Sequence, residues 1–61
     1  MESKATLAKA IKLLNFKIGV LLDKRQMRYS EDDHKAVKEC TDKIQELESI
    51  KMDFEYRLNN L

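Results

Sequence analysis

The 61-residue chain is predicted to be all-α, a two-helix antiparallel hairpin that dimerises into a four-helix bundle. Three observations predict this. Helix breakers are almost absent, with no proline and one glycine, in a composition rich in Leu, Lys, Glu, Ala and Met, all good helix formers. Two apolar seams run at heptad spacing, and their phases do not join. The first helix also carries a second apolar stripe that one partner helix cannot cover.

A chain this short makes one domain and is marginal on its own, so it needs a disulfide, a metal, an oligomer or very good helix packing. One cysteine cannot close an internal disulfide. One histidine and one cysteine fall short of the about four ligands of a structural zinc site. Helix packing and oligomerisation are left, and no cofactor or metal is expected.

Helix 1 is expected over about residues 4–28. Ser3 suits its N-cap, where a hydroxyl accepts a first-turn N–H. Leu7, Ile11, Leu14, Ile18 and Leu21 alternate steps of four and three and fall within an arc of about 80°, extended by Leu22. A second stripe, Leu13, Phe16, Val20 and Met27, occupies about 60° on nearly the opposite side. Lys12, Asp23 and Lys24 lie between the two. Gly19 sits mid-helix at a cost of roughly 1 kcal/mol relative to alanine. Either the weakness is tolerated or another backbone approaches closely there.

A turn is expected over about residues 28–31. Ser30 with Asp33 three residues on resembles a capping box with the shorter Asp in place of Glu. Glu31, Asp32 and Asp33 suit the positive end of a helix dipole, and Arg25 and Arg28 the negative end of the preceding one.

Helix 2 is expected over about residues 31–59. Its seam is Val37, Cys40, Ile44, Leu47, Lys51, Phe54, Leu58 and Leu61, broadened by Ala36 and Ile50. Lys51 is its polar member and is expected to snorkel, burying its stem while the ammonium reaches water. A single long helix is the competing architecture. The twelve residues from Arg25 to Val37 are neither one heptad nor a heptad plus three or four, so a break near Tyr29–Ser30 accounts for the phase better.

Charge divides at the same place. Residues 1–29 carry seven Lys/Arg and two acids, net +5, whereas residues 30–61 carry five Lys/Arg and nine acids, net −4. This asymmetry favours antiparallel pairing of unlike helices over pairing of like ones.

No stretch approaches the ~18 uninterrupted apolar residues of a membrane span. The first apolar run is broken by Lys9, Lys12 and Lys17, unlike a signal peptide. A lone cysteine fits a reducing compartment, so a cytoplasmic protein without membrane contact is expected.

The individual chemical groups point the same way. Cys40 on the seam reads as a small buried hydrophobe. His34 beside Asp32 and Asp33 reads as a solvated surface residue, and the three acids lack the alternating ligands and glycine of a calcium loop. No nucleophile–base–orienter set is present. The basic residues Lys9, Lys12, Lys17, Lys24, Arg25 and Arg28 could neutralise phosphates, and a dimeric RNA- or DNA-binding bundle of hairpins has this size. They are spread around the helix, however, and helix 2 is acidic. Helical-hairpin phosphatases that act on a response-regulator phosphoaspartate carry a Ser-Gln-Glu-Leu-Asp signature on the second helix. The nearest stretch here, Lys38-Glu39-Cys40-Thr41-Asp42, keeps only the Glu and the Asp.

The expectation is therefore a non-enzymatic regulator or adaptor acting by protein–protein contact. Leu13, Phe16, Val20 and Met27 are its interaction residues, facing a second copy or a foreign protein. A nucleic-acid-binding bundle is the first alternative, and a phosphoaspartate phosphatase using Asp42 or a neighbour is the second.

Overall fold

The computed structural model describes residues 3–61, which form two α-helices, α1 (Lys4–Ser30) and α2 (His34–Asn59). They pack against each other along their length as a hairpin, a rod of 45 × 14 × 14 Å on the Cα positions. The 27 residues of α1 account for about 40 Å of that length.

Each helix starts on a side-chain cap. Ser3 Oγ accepts from the Thr6 N–H at 3.1 Å, as the sequence suggests. The cap of α2 is Asp33, whose carboxylate accepts from the Ala36 N–H at 3.1 Å. This corrects the expectation that Ser30 caps the second helix and that it starts near residue 31. Ser30 is instead the last residue of α1, and its hydroxyl donates back to the Met27 carbonyl at 2.8 Å. A serine in a final turn can satisfy an orphan carbonyl of its own helix, and that bond competes with service as the next N-cap.

The turn is Glu31–Asp33. The Asp33 N–H donates to the Arg28 carbonyl at 3.0 Å and the Asp32 N–H to the Tyr29 carbonyl at 3.1 Å. These two bonds are the Schellman pattern, which requires a left-handed residue between them and usually takes glycine there. Here Asp32 occupies that position with φ 59°, a conformation that Asp tolerates better than most residues. The Arg28 guanidinium pairs with Glu31 at 2.8 Å across the start of the turn. The hydrogen bond and the nearby negative charge raise its pKa above the ordinary value.

The two seams form the core. Ile18, Ile44 and Leu47 are buried together, with Leu14 and Leu21 packed against them; Leu7 and Cys40 are buried as well. Val37, Lys51, Phe54 and Leu58 of the expected α2 seam are half-buried. That is the exposure of a lysine whose stem packs while its head is solvated. Three seam expectations fail. Leu22, expected to extend the α1 seam, is 41% exposed. Ile50 remains 39% exposed on the flank of α2, and Leu61 lies exposed past the helix end.

Polar contacts are mostly local. Lys38–Asp42, Lys43–Glu46 and Arg57–Asp53 each join residues three or four apart on α2. Such exposed pairs contribute ~0–1 kcal/mol. Arg57 also stacks its guanidinium over the Phe54 ring at 5.6 Å. Between the helices, the half-buried Arg25 reaches Thr41 Oγ1 at 3.5 Å. Burial of the seams, rather than charge, therefore dominates closure of the hairpin. None of the described helices is long and apolar enough to cross a membrane.

Candidate functional site

The two stripes of α1 have different fates. The first faces α2 and is buried or half-buried from Leu7 to Leu21. The second is left in solvent, with Leu13 57% exposed, Phe16 71%, Val20 52% and Met27 62%. One helix can lie against only one side of another, so a stripe some 150° from the α1–α2 contact receives no cover from α2.

The structure brings only part of this stripe into a concave site. Phe16 and Val20 form one wall of an open cleft of about 370 Å³, with Lys17 and Leu21 from α1 and Lys43 and Leu47 from α2. Leu13 and Met27 lie on the same stripe to either side of the cleft along the helix. A second, smaller groove of about 210 Å³ continues the cleft toward the turn, lined by Leu21, Lys24, Ala36, Glu39, Cys40 and Lys43. The two depressions share Leu21 and Lys43, so they run along one side of the hairpin.

The surface has an apolar floor and a charged rim. Leu21 and Leu47 provide the floor, and Lys17, Lys24 and Lys43 stand at the edges. Lys43 is paired with Glu46 at 3.5 Å. Among the described residues, Lys4, Lys9, Lys12, Lys17 and Lys24 of α1 have no ion-pair partner and neither do Lys35 and Lys51 of α2, whereas Lys38, Lys43 and Arg57 of α2 have one. An apolar face rimmed by unpaired cations suits an amphipathic surface of opposite charge, which would bury its apolar side chains while its acids reach the rim.

The contributions of Lys43 and Leu47 from α2 to the cleft escape sequence reading. A retrievable signal existed: Lys43 and Ile50 are seven residues apart and therefore share a flank. Leu47, by contrast, reads as pure seam, and its edge is visible only once the hairpin is formed. Of the other groups weighed, Cys40 is buried and His34 is an exposed first residue of α2. Asp42 is exposed and paired with Lys38 at 3.4 Å. No group of three or more His, Cys, Asp or Glu among the described residues could hold a metal ion. Arg25 and Arg28 turn toward α2 and the turn, which separates them from the unpaired lysines of α1.

Comparison with known proteins finds no matching family model, no similar curated protein and no similar solved structure.

Proposed function

We propose that this chain is a small, non-enzymatic interaction module that docks through a helical face, in the manner of a regulator or adaptor. Leu13, Phe16, Val20 and Met27 are its contact residues, and it self-associates as a homodimer. The observation that carries this reading is the exposure of all four by half or more on a hairpin whose other apolar stripe is already buried. Exposed apolar side chains scattered singly are ordinary on any surface. Four aligned on one side of a 27-residue helix form a stripe, and aligned apolar surface of this kind marks interaction sites.

The test is association of the full chain, followed by sedimentation across a concentration series, for the wild type and for Phe16→Ala and Val20→Asp. The expected result is self-association that each substitution weakens while the circular dichroism of the chain stays helical. Unchanged association in both variants would move the interface elsewhere. The unpaired lysines give the nucleic-acid alternative a specific basis. It predicts binding to RNA or DNA that falls steeply with salt and is lost when Lys12, Lys17 and Lys24 are changed to glutamate.

A further inference from the structure

We infer that the cleft side of the hairpin is covered by the same side of a second copy, with α1 of each chain lying on α2 of the other about a two-fold axis parallel to the helices. This rests on the interaction-module reading and specifies its partner and geometry.

Charge selects the arrangement. Pairing α1 with α1 would bring Lys17 and Lys24 of one chain against the same residues of the other, and like charges in an interface are repulsive. Placing α1 on α2 sets Lys17 and Lys24 against the acidic half of the sequence, where Lys43, the cation of α2 on this side, is already paired with Glu46. The register follows from the hairpin itself, because rotation about the long axis preserves height along it. Within one chain, Lys24 and Glu39 line the same groove, so they are level. Lys17 is level with Leu47, the neighbour of Glu46. Across the axis, Lys24 then meets Glu39 of the second copy and Lys17 meets Glu46, each twice by symmetry. Glu39 and Glu46 are seven residues apart, on the flank of α2 that also carries Lys43 and Ile50.

The apolar residues agree with this register. Ile18 packs on Ile44 and Leu47. Extending the same antiparallel register places Leu13 level with Ile50, two residues that are 57% and 39% exposed and would meet across the axis. Leu21 and Leu47 at the cleft floor complete an apolar strip between the two rows of charge.

Two charge-reversed chains test it. One carries Lys17→Glu with Lys24→Glu, the other Glu39→Lys with Glu46→Lys. Each is examined alone, and the two are examined as an equimolar mixture, by sedimentation equilibrium and circular dichroism at low ionic strength. The expected result is a wild-type dimer, self-association weakened roughly a hundredfold in each variant, and recovery of the dimer on mixing, because both interfaces of the heterodimer are then complementary. If a variant fails to fold alone, recovery of helicity and dimer mass on mixing gives the same answer. A mixture that does not recover overturns the arrangement, and so does a wild-type dimer that both variants retain; the second result leaves self-association through another face standing. A wild-type chain that stays monomeric at every concentration overturns both this arrangement and the homodimer, and leaves docking to a different protein to be judged on Phe16 and Val20.

Discussion

α1 and α2 differ by one residue in length, 27 against 26, yet they distribute their apolar residues differently. α2 is one-sided. Most of its large apolar residues gather on the seam, with Ile50, Met52 and Tyr56 left exposed, and its cations at positions 38, 43 and 57 are paired with acids three or four residues away. α1 is two-sided. Its stripes lie on nearly opposite faces and cancel as a net amphipathic direction, and its lysines at 9, 12, 17 and 24 have no ion-pair partner among the described residues. A one-sided helix is complete once it has one neighbour. A two-sided helix is complete only with two, and the hairpin supplies one. The difference teaches that the folding information lies in the seams shared by both helices, whereas the second stripe of α1 is apolar surface that folding of the hairpin does not use.

The sharpest way to test that division is to damage the shared seam. Ile44 is 4% exposed at the centre of the core. Ile44→Ala removes buried methylenes and leaves a cavity, at a cost of about 2–5 kcal/mol. For a chain this small that is a large fraction of its stability. Chemical denaturation followed by circular dichroism should show loss of most of the helix in water or a midpoint moved close to zero denaturant. An unaffected midpoint would mean that the seam does not hold the hairpin.

The turn contributes next. Asp32→Val places a β-branched residue at φ 59° and should cost about 1–2 kcal/mol. Asp32→Gly relieves the same backbone position and should raise the melting temperature. Opposite signs at one residue are the signature of the left-handed conformation. Equal effects of the two substitutions would show that the turn is not of the Schellman type. Asp33→Ala tests the adjoining cap of α2 and should cost about 1 kcal/mol, whereas Ser30→Ala, whose hydroxyl bonds back into α1, should leave α2 capped.

The seams and this turn mark where the sequence is legible and where it is not. The inward placement of Leu7, Leu14, Ile18 and Leu21 on α1 and of Cys40, Ile44 and Leu47 on α2 follows from spacing alone, because helical periodicity and burial are the same regularity seen twice. The phase mismatch between Arg25 and Val37 places the break without any breaker residue. The three-residue shift in the start of α2 was not legible, because Ser30 and Asp33 are both competent caps and the choice depends on whether a hydroxyl bonds backward or forward. A left-handed turn residue is normally betrayed by glycine, and here it is an aspartate. The exposed stripe was legible as residues, but the cleft that joins Phe16 and Val20 to Lys43 and Leu47 depends on how far the second helix is rotated about its axis, which spacing within one helix does not determine.

Gly19 sharpens the comparison inside α1. A Cβ built there meets nothing within 4 Å, so α2 does not require the glycine. Gly19→Ala should therefore stabilise the hairpin by about 1 kcal/mol through helix propensity alone, raising the denaturation midpoint. Destabilisation instead would show that a backbone outside the chain approaches α1 at this position, and it would do so in proportion to protein concentration if that backbone belongs to a second copy.

The smallest expected effect is on the second stripe, and it is the most informative about α1. In the isolated hairpin Phe16 is 71% exposed, so truncation removes little buried surface, and alanine is the better helix former by up to about 0.7 kcal/mol. Phe16→Ala should leave the stability of the dilute chain within about 0.5 kcal/mol of the wild type, against several kcal/mol for Ile44→Ala. Measured again at high protein concentration, where a dimer contributes to stability by mass action, the wild type should gain and the variant should gain less. A Phe16→Ala loss as large as that of Ile44→Ala, independent of concentration, would mean that the ring is buried within the single chain. The two stripes of α1 would then be one core, and the contrast with α2 would vanish.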